Sequence, residues 1–173
     1  MLGCLGHMKN RIIFSKSHYN ACLALFLEVQ IWVILNLMKL KAGFSERAHT
    51  ADWELEVWAP DFAGLLEQAA RGMFAISGTR LEEGPRESQI LHLNADDPES
   101  LLVKFLNELL LLSEQKHLGF DHFNFVLDGN HLNASIEGAP IRSLDKEIKA
   151  VTYHNLSIRE TKAGLQVNIV FDV

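Results

Sequence analysis

The chain is short of cysteine and of positive charge, and each shortage excludes a class of function. Only Cys4 and Cys22 occur among its 173 residues, so the sequence beyond them can hold neither a disulfide nor a zinc site built on thiolates. The formal net charge is −6 at pH 7. Because proteins bind phosphate backbones with clustered Lys and Arg, this chain is expected to reach nucleic acid only through a partner.

Familiar catalytic motifs are also absent from the sequence. It contains no Gly-rich phosphate loop of either common spacing, no His-Glu-x-x-His pair and no G-x-S-x-G nucleophile elbow. Six histidines follow residue 38, but no two of them lie at metal-ligand spacing on one predicted element. Surface or structural roles are therefore favoured for all six: His49, His92, His117, His122, His131 and His154.

Residues 1–37, here called the leader, differ in composition from the rest of the chain. The leader holds three of the 16 basic residues and one of the 22 acidic residues. Residues 38–173 therefore keep 13 basic against 21 acidic residues, a net charge of −8. We predict that residues 38–173 form one domain and that the leader lies outside it.

The leader carries an apolar run from residue 21 to residue 38, which Glu28, Gln30 and Asn36 interrupt. Three interpretations stay open. The leader is upstream sequence translated from a misassigned start, with Met38 as the functional start, or it is an amphipathic or oligomerisation helix. The third interpretation is a membrane anchor, for which the run is short and the burial of its charge is costly.

Two helices are predicted between residues 60 and 117. Apolar residues recur at helical spacing from Phe62 onward, after Asp61 as the N-cap and before Gly78 as the stop. Asp97-Pro98 begins a second and strongly apolar helix, which is expected to be well buried.

The remaining segments alternate as strands do. Strands are predicted at residues 53–58 and 88–94, in a hairpin that turns at Asp128-Gly129-Asn130, in the segment 147–159, and at residues 165–171. The order is strand, helix, strand, helix and then four strands. It predicts an α+β fold, with an antiparallel or mixed sheet packed with two main helices.

Three carboxyl groups are expected near strand ends. Asp52 directly precedes the first strand, Asp172 directly follows the last one, and Val173 adds its α-carboxylate. If the two strand ends are neighbours, these oxygens suit a hard cation such as calcium, magnesium or manganese better than zinc. The alternative is an acidic rim that serves solubility.

Several motifs together resemble those of the archease family, small acidic α+β proteins, over about residues 42–173. The motifs are His49-Thr50-Ala51-Asp52, the helix 61–76 with Glu67-Gln68-Ala69-Ala70, Phe105-Leu106-Asn107-Glu108-Leu109-Leu110, the segment 147–154, and the ending Val170-Phe171-Asp172-Val173. The leader lies outside the family pattern, which favours Met38 as the functional start.

The resemblance implies a cytoplasmic protein that is not itself an enzyme. It would act as a cofactor of an RtcB-type RNA ligase in tRNA splicing and RNA repair, promoting guanylylation and multiple turnover. RNA would be reached only through the ligase, and no membrane is expected unless the leader is a genuine anchor. The resemblance also implies a divalent cation, calcium first, with magnesium or manganese as alternatives, bound by Asp52, Asp172 and Val173.

Four further residues are candidates for contact with the partner. The resemblance assigns Lys149 to partner contact or phosphate steering, with Thr152 and His154 as weaker companions expected on the same strand face. His49 is expected chiefly to fix the loop before Asp52. Two other functions stay open: a chaperone-like interaction module, and a metal-dependent phosphoesterase that would use the two aspartates.

Overall fold

The computed structural model describes residues 42–47 and 53–173. The predictions for the leader, for His49 and for Asp52 therefore lie outside the described residues. The domain boundary at residue 38 stays a prediction.

The described residues form nine strands and two helices, which confirms the α+β prediction. In chain order these are β1 (Gly43–Arg47), β2 (Trp53–Ala59), α1 (Phe62–Ile76), β3 (Arg80–Leu81), β4 (Glu87–Asn94), α2 (Pro98–Lys116), β5 (Leu118–Asp128), β6 (His131–Ser143), β7 (Ala150–Thr152), β8 (Arg159–Thr161) and β9 (Gly164–Asp172).

The strands make two antiparallel sheets. In the five-stranded sheet the order is β1-β2-β9-β7, and β8 also pairs with β9. In the four-stranded sheet β6 is central and pairs with β3, β4 and β5. Each helix contacts strands of both sheets, so the two sheets and the two helices share a single core cluster.

The predicted helix caps are confirmed. The carboxylate of Asp61 accepts a hydrogen bond from the backbone N–H of Gly64 at 2.7 Å, and that of Asp97 accepts one from Ser100 at 2.6 Å. Gly78 follows α1 with φ +67°, a left-handed conformation that glycine adopts without strain. Side-chain acceptors satisfy N–H groups that the first turn leaves unpaired, which is why each helix begins where it does.

Burial follows the predicted periodicities. On β2, Leu55, Val57 and Ala59 are buried, while Glu54 and Glu56 lie on the opposite face. Helix α2 is buried along much of its length, as predicted, through Leu101, Leu102, Val103, Phe105, Leu106, Leu109 and Leu112. No helix among residues 42–47 and 53–173 is both long and apolar enough to cross a bilayer.

The strand prediction is confirmed in its long elements and incomplete in its short ones. The hairpin of β5 and β6 turns where expected, with Asp128 opposite His131 and Gly129 at φ +55°. Strands β1 and β3 were not predicted, and the segment 147–159 contains no single strand but β7 and the start of β8, so five strands follow α2. Short strands carry too few residues for alternation to show.

Candidate functional site

The first residue of β2 and the last residue of β9 lie at the same end of the five-stranded sheet. Their antiparallel register places Trp53 opposite Phe171. Asp172 is exposed beyond Phe171, and Val173 is partly buried against the core. We call this sheet end, with Trp53, Lys149, Asp172 and Val173, the tip.

The tip contains two of the three predicted cation ligands, Asp172 and Val173. Asp52, the third, is outside the described residues, so its convergence with Asp172 stays a prediction. Within the part of the chain that the structure describes, no three His, Cys, Asp or Glu side chains are grouped as metal ligands. A cation site at the tip therefore depends on Asp52.

Lys149, one of the residues predicted to contact the partner, lies at the tip. Its backbone N–H donates to the carbonyl oxygen of Asp172 at 2.9 Å. Its Nζ donates to an oxygen of Val173 at 3.1 Å, although the side chain is exposed. The lysine thus holds the chain end by two bonds and places a positive charge among the oxygens.

Thr152 and His154 do not share a strand face with Lys149, so that expectation is wrong. Strand β7 covers only Ala150–Thr152, and residues three apart in a strand point to opposite faces. The Thr152 hydroxyl donates to the Val170 carbonyl oxygen at 3.1 Å and accepts from the His154 backbone N–H at 3.3 Å. The chain then turns away, with Asn155 at φ +53°.

The outer face of the five-stranded sheet leads away from the tip as a polar concavity of about 650 Å³, lined in part by His154. Glu54 accepts from the side-chain amide of Asn168 at 2.7 Å. Glu56 accepts from Gln166 and forms an ion pair with Arg47 at 2.7 Å. The hydrogen bond and charge of Glu56 raise the pKa of Arg47. These contacts join β1, β2 and β9 across the face.

A second cavity, of about 760 Å³, opens between the two helices and the segment before β7. Its lining is largely apolar and includes Phe74, Leu110 and Ile148. Two lining residues, Leu111 and Leu144, are respectively 43% and 44% exposed. Lys149 also lines this cavity, so it borders the tip.

Asn107 of α2 belongs to one of the family motifs, and its side chain binds the backbone of β7. Its Oδ1 accepts from the backbone N–H of Val151 at 3.0 Å, and its Nδ2 donates to the carbonyl oxygen of Val151 at 3.4 Å. In the sequence, a polar amide within a strongly apolar helix was the one feature that could have indicated a role for this residue. The sequence could not show which backbone it meets, because 44 residues separate the two positions.

The fold and the tip define a class: an α+β protein with two antiparallel sheets whose candidate site combines chain-end oxygens with a lysine. The chain belongs to the archease family. Residues 44–173 match the model of the "Archease protein family (MTH1598/TM1083)". This range includes Asp52, Asp172 and Val173 and begins beyond the leader, so the resemblance seen in the motifs is confirmed.

Curated relatives match over most of their own length. The chain is 33% identical over 135 residues to the archease of Methanosarcina barkeri, which covers 72% of this chain and 92% of the relative. It is 28% identical over 139 residues to the archease of Methanothermobacter thermautotrophicus, covering 76% of this chain and 99% of the relative.

Two solved structures share the fold. The solution structure of Methanobacterium thermoautotrophicum protein 1598 aligns with a TM-score of 0.58 at 21% identity, covering 76% of this chain and 99% of that one. A Thermotoga maritima archease, described as a possible chaperone, aligns with a TM-score of 0.55 at 25% identity. The alignment covers 75% of this chain and 96% of that one.

Proposed function

We propose that this protein is a cofactor of an RtcB-type RNA ligase and promotes its guanylylation and multiple turnover in tRNA splicing and RNA repair. It would act through a divalent cation held at the tip by Asp52, Asp172 and Val173. The observation that carries the proposal is the register of Trp53 opposite Phe171.

We propose on the basis of this register that Asp52 lies near Asp172. The Cα atoms of bonded residues are about 3.8 Å apart, so Asp52 is tied to Trp53 as Asp172 is tied to Phe171. Directly opposite residues of antiparallel strands have Cα atoms about 5 Å apart. If the pairing continues by one residue, the carboxylates of Asp52 and Asp172 face each other and one cation can bind both.

The oxygen donors fit calcium, with magnesium or manganese as alternatives. Calcium accepts six to eight oxygen ligands, including carboxylates and backbone carbonyls, in flexible geometry, and an oxygen of Val173 adjoins Asp172. A bound cation would supply positive charge to neutralise and orient a triphosphate. The chain's own residues would shape this surface for insertion into the ligase, which performs the ligation.

Lys149 supports a role at the interface with the ligase. Its ammonium offsets the carboxylate repulsion at the tip while no phosphate is near. Because the side chain is exposed and bonded to a single oxygen, it can turn toward an anionic group of the partner or its nucleotide. His154, which lines the adjoining concavity, and His49 stay proposed contacts with the ligase. The Thr152 hydroxyl already makes hydrogen bonds to nearby backbone groups.

The test is ligation by the RtcB-type ligase of the same organism, in excess RNA, with the full chain added. Asp52→Ala and Asp172→Ala should each abolish the stimulation of turnover and reduce the guanylylated fraction of the ligase. The matched control is Asp128→Ala, at the exposed end of β5, which should stimulate as the wild type does. Unchanged turnover with both tip variants, in folded protein, would sink the proposal.

A chaperone-like interaction module is a second candidate because of the apolar cavity and its exposed Leu111 and Leu144. The Thermotoga maritima relative is described as a possible chaperone. Suppression of client aggregation that persists in EDTA and in Asp172→Ala, but is lost in Leu111→Asp, would favour this function. Aggregation unaffected by the wild-type chain would exclude it.

A further inference from the structure

Strand β7 is three residues long and lies at an edge of the five-stranded sheet. On one side it pairs with β9, where Ala150 is opposite Asp172 and Thr152 is opposite Val170. On its other side no strand pairs with it among the described residues. Three residues of pairing offer little to hold a strand against the sheet, so its position requires another contact.

Helix α2 supplies that contact through one side chain. Alternate residues of a strand direct their backbone groups to opposite sides, and Val151 directs both its N–H and its C=O toward Asn107. The amide offers one acceptor and one donor, as a peptide unit of a neighbouring strand would. Val151 is 5% exposed, so water could not readily replace these bonds.

The held strand leads directly to the tip. Lys149 precedes β7 and binds Asp172 through its backbone N–H and Val173 through Nζ. The chain of contacts therefore runs from Asn107 to Val151, from β7 to Lys149, and from Lys149 to the oxygens of Asp172 and Val173. Each link is a hydrogen bond or a peptide bond.

We infer that Asn107 is a positioning residue for the tip: its side-chain amide acts as a substitute strand that holds β7, and thereby holds Lys149 and the cation-binding oxygens in place. The part that concerns the cation rests on the proposed function. The part that concerns β7 and Lys149 stands on the hydrogen bonds alone. Asn107 touches neither the cation nor the partner.

The experiment compares two substitutions in the full chain. Asn107→Leu keeps the branched shape and the number of side-chain heavy atoms and removes both hydrogen bonds, and the smaller Asn107→Ala provides a second variant if leucine does not fit. The matched control is Leu109→Ala, on the same helix and fully buried, which lowers general stability without removing a hydrogen bond of Val151. Amide hydrogen exchange at Lys149 and Val151 is measured together with calcium binding by calorimetry, using calcium chloride alone.

Loss of a buried hydrogen bond is expected to raise exchange at Val151 by about tenfold or more, and exchange at Lys149 should rise with it. The calcium dissociation constant should increase by about tenfold in both Asn107 variants. Leu109→Ala should melt at a lower temperature but bind calcium as the wild type does below its melting range.

Each outcome decides a different step. Protection of Val151 that survives both Asn107 substitutions would overturn the inference. Loss of protection at Val151 with Lys149 and calcium binding unchanged would show that the amide holds β7 but does not position the tip, which also overturns it. A wild-type chain that binds neither calcium nor, in the same titration, magnesium or manganese contradicts the proposed function instead, and exchange at Lys149 then decides whether Asn107 positions the tip.

Discussion

The longest strand pairing of the four-stranded sheet is local in sequence and that of the five-stranded sheet is distant, and the candidate site lies at the end of the distant pair. The four-stranded sheet is built around the β5–β6 hairpin, whose strands are joined by a two-residue turn. The five-stranded sheet pairs β2 with β9, and its cross-strand bond from Asn168 to Glu54 spans 114 residues. Each sheet also contains the other kind of pairing, since β8 joins β9 through a short turn and β4 pairs with β6 across the intervening α2 and β5. The tip, however, is formed by a strand pair that is distant in sequence.

The difference extends to how each sheet treats its short strands. In the four-stranded sheet β3 continues along the same edge of β6 that β4 occupies. In the five-stranded sheet β7 is held on its outer side by Asn107. Side-chain contacts thus take the place of strand pairing near the tip. An arrangement of this kind can be perturbed locally without unfolding the domain.

The largest effect is expected in the four-stranded sheet, from Gly138→Ala. A Cβ at this buried position on β6 would overlap the carbonyl oxygen of Gly119 on the adjacent strand, and backbone cannot move aside as a flexible side chain can. We expect a loss of about 3 kcal/mol in the free energy of unfolding, measured by urea denaturation. Calcium binding by the folded fraction should be unchanged, since the tip is on the other sheet.

The control for this prediction is Ser135→Ala, on the exposed face of the same strand. Surface substitutions of this kind usually change stability by less than about 0.5 kcal/mol. If Gly138→Ala weakens calcium binding as strongly as it weakens the fold, the two sheets do not behave separately and the comparison fails.

The second prediction concerns the tip itself, and its expected effect on stability is somewhat smaller. A ligand that binds only the folded state stabilises it by about 2.7 kcal/mol when its concentration is one hundred times the dissociation constant. Calcium at that ratio should raise the melting temperature of the wild-type chain, and EDTA should reverse the rise. Asp172→Ala should show neither response, while Gly138→Ala should show both from a lower starting temperature.

The parts of the fold that the sequence predicts are those with local causes. Asp61 and Asp97 cap their helices through N–H groups three residues away, and the turn at Gly129 joins adjacent strands. Such interactions lie within one window of sequence. The same holds for the buried face of β2, whose alternation repeats over seven residues.

The parts that the sequence does not predict depend on distant partners. The sequence predicts a strand in the segment 147–159 but not its limits, because only the pairing with β9 and the contact with Asn107 restrict it to Ala150–Thr152. The bond from Lys149 to Val173 joins positions that only the finished sheet brings together. The candidate site could therefore be proposed as a set of residue types, from the family motifs, but the contact of α2 with the strand beside it could not.

The smallest expected effect concerns pH and the start of α2. Hydrogen bonds from the backbone N–H and the side chain of Ser100 lower the pKa of Asp97 from its usual value of 3.8. Because the folded pKa lies below the unfolded one, the carboxylate contributes stability above pH 4, and this contribution is lost as the pH falls through the folded pKa. Asp97→Asn keeps a capping side chain that does not titrate. Urea unfolding should therefore show a shallower loss of stability on acidification from pH 5 for this variant, and equal slopes would contradict the assignment.

Since Asp97 lies ten residues before Asn107, amide exchange at Val151 in Asp97→Asn should stay at the wild-type level. That result would separate the start of the helix from the part that supports the tip.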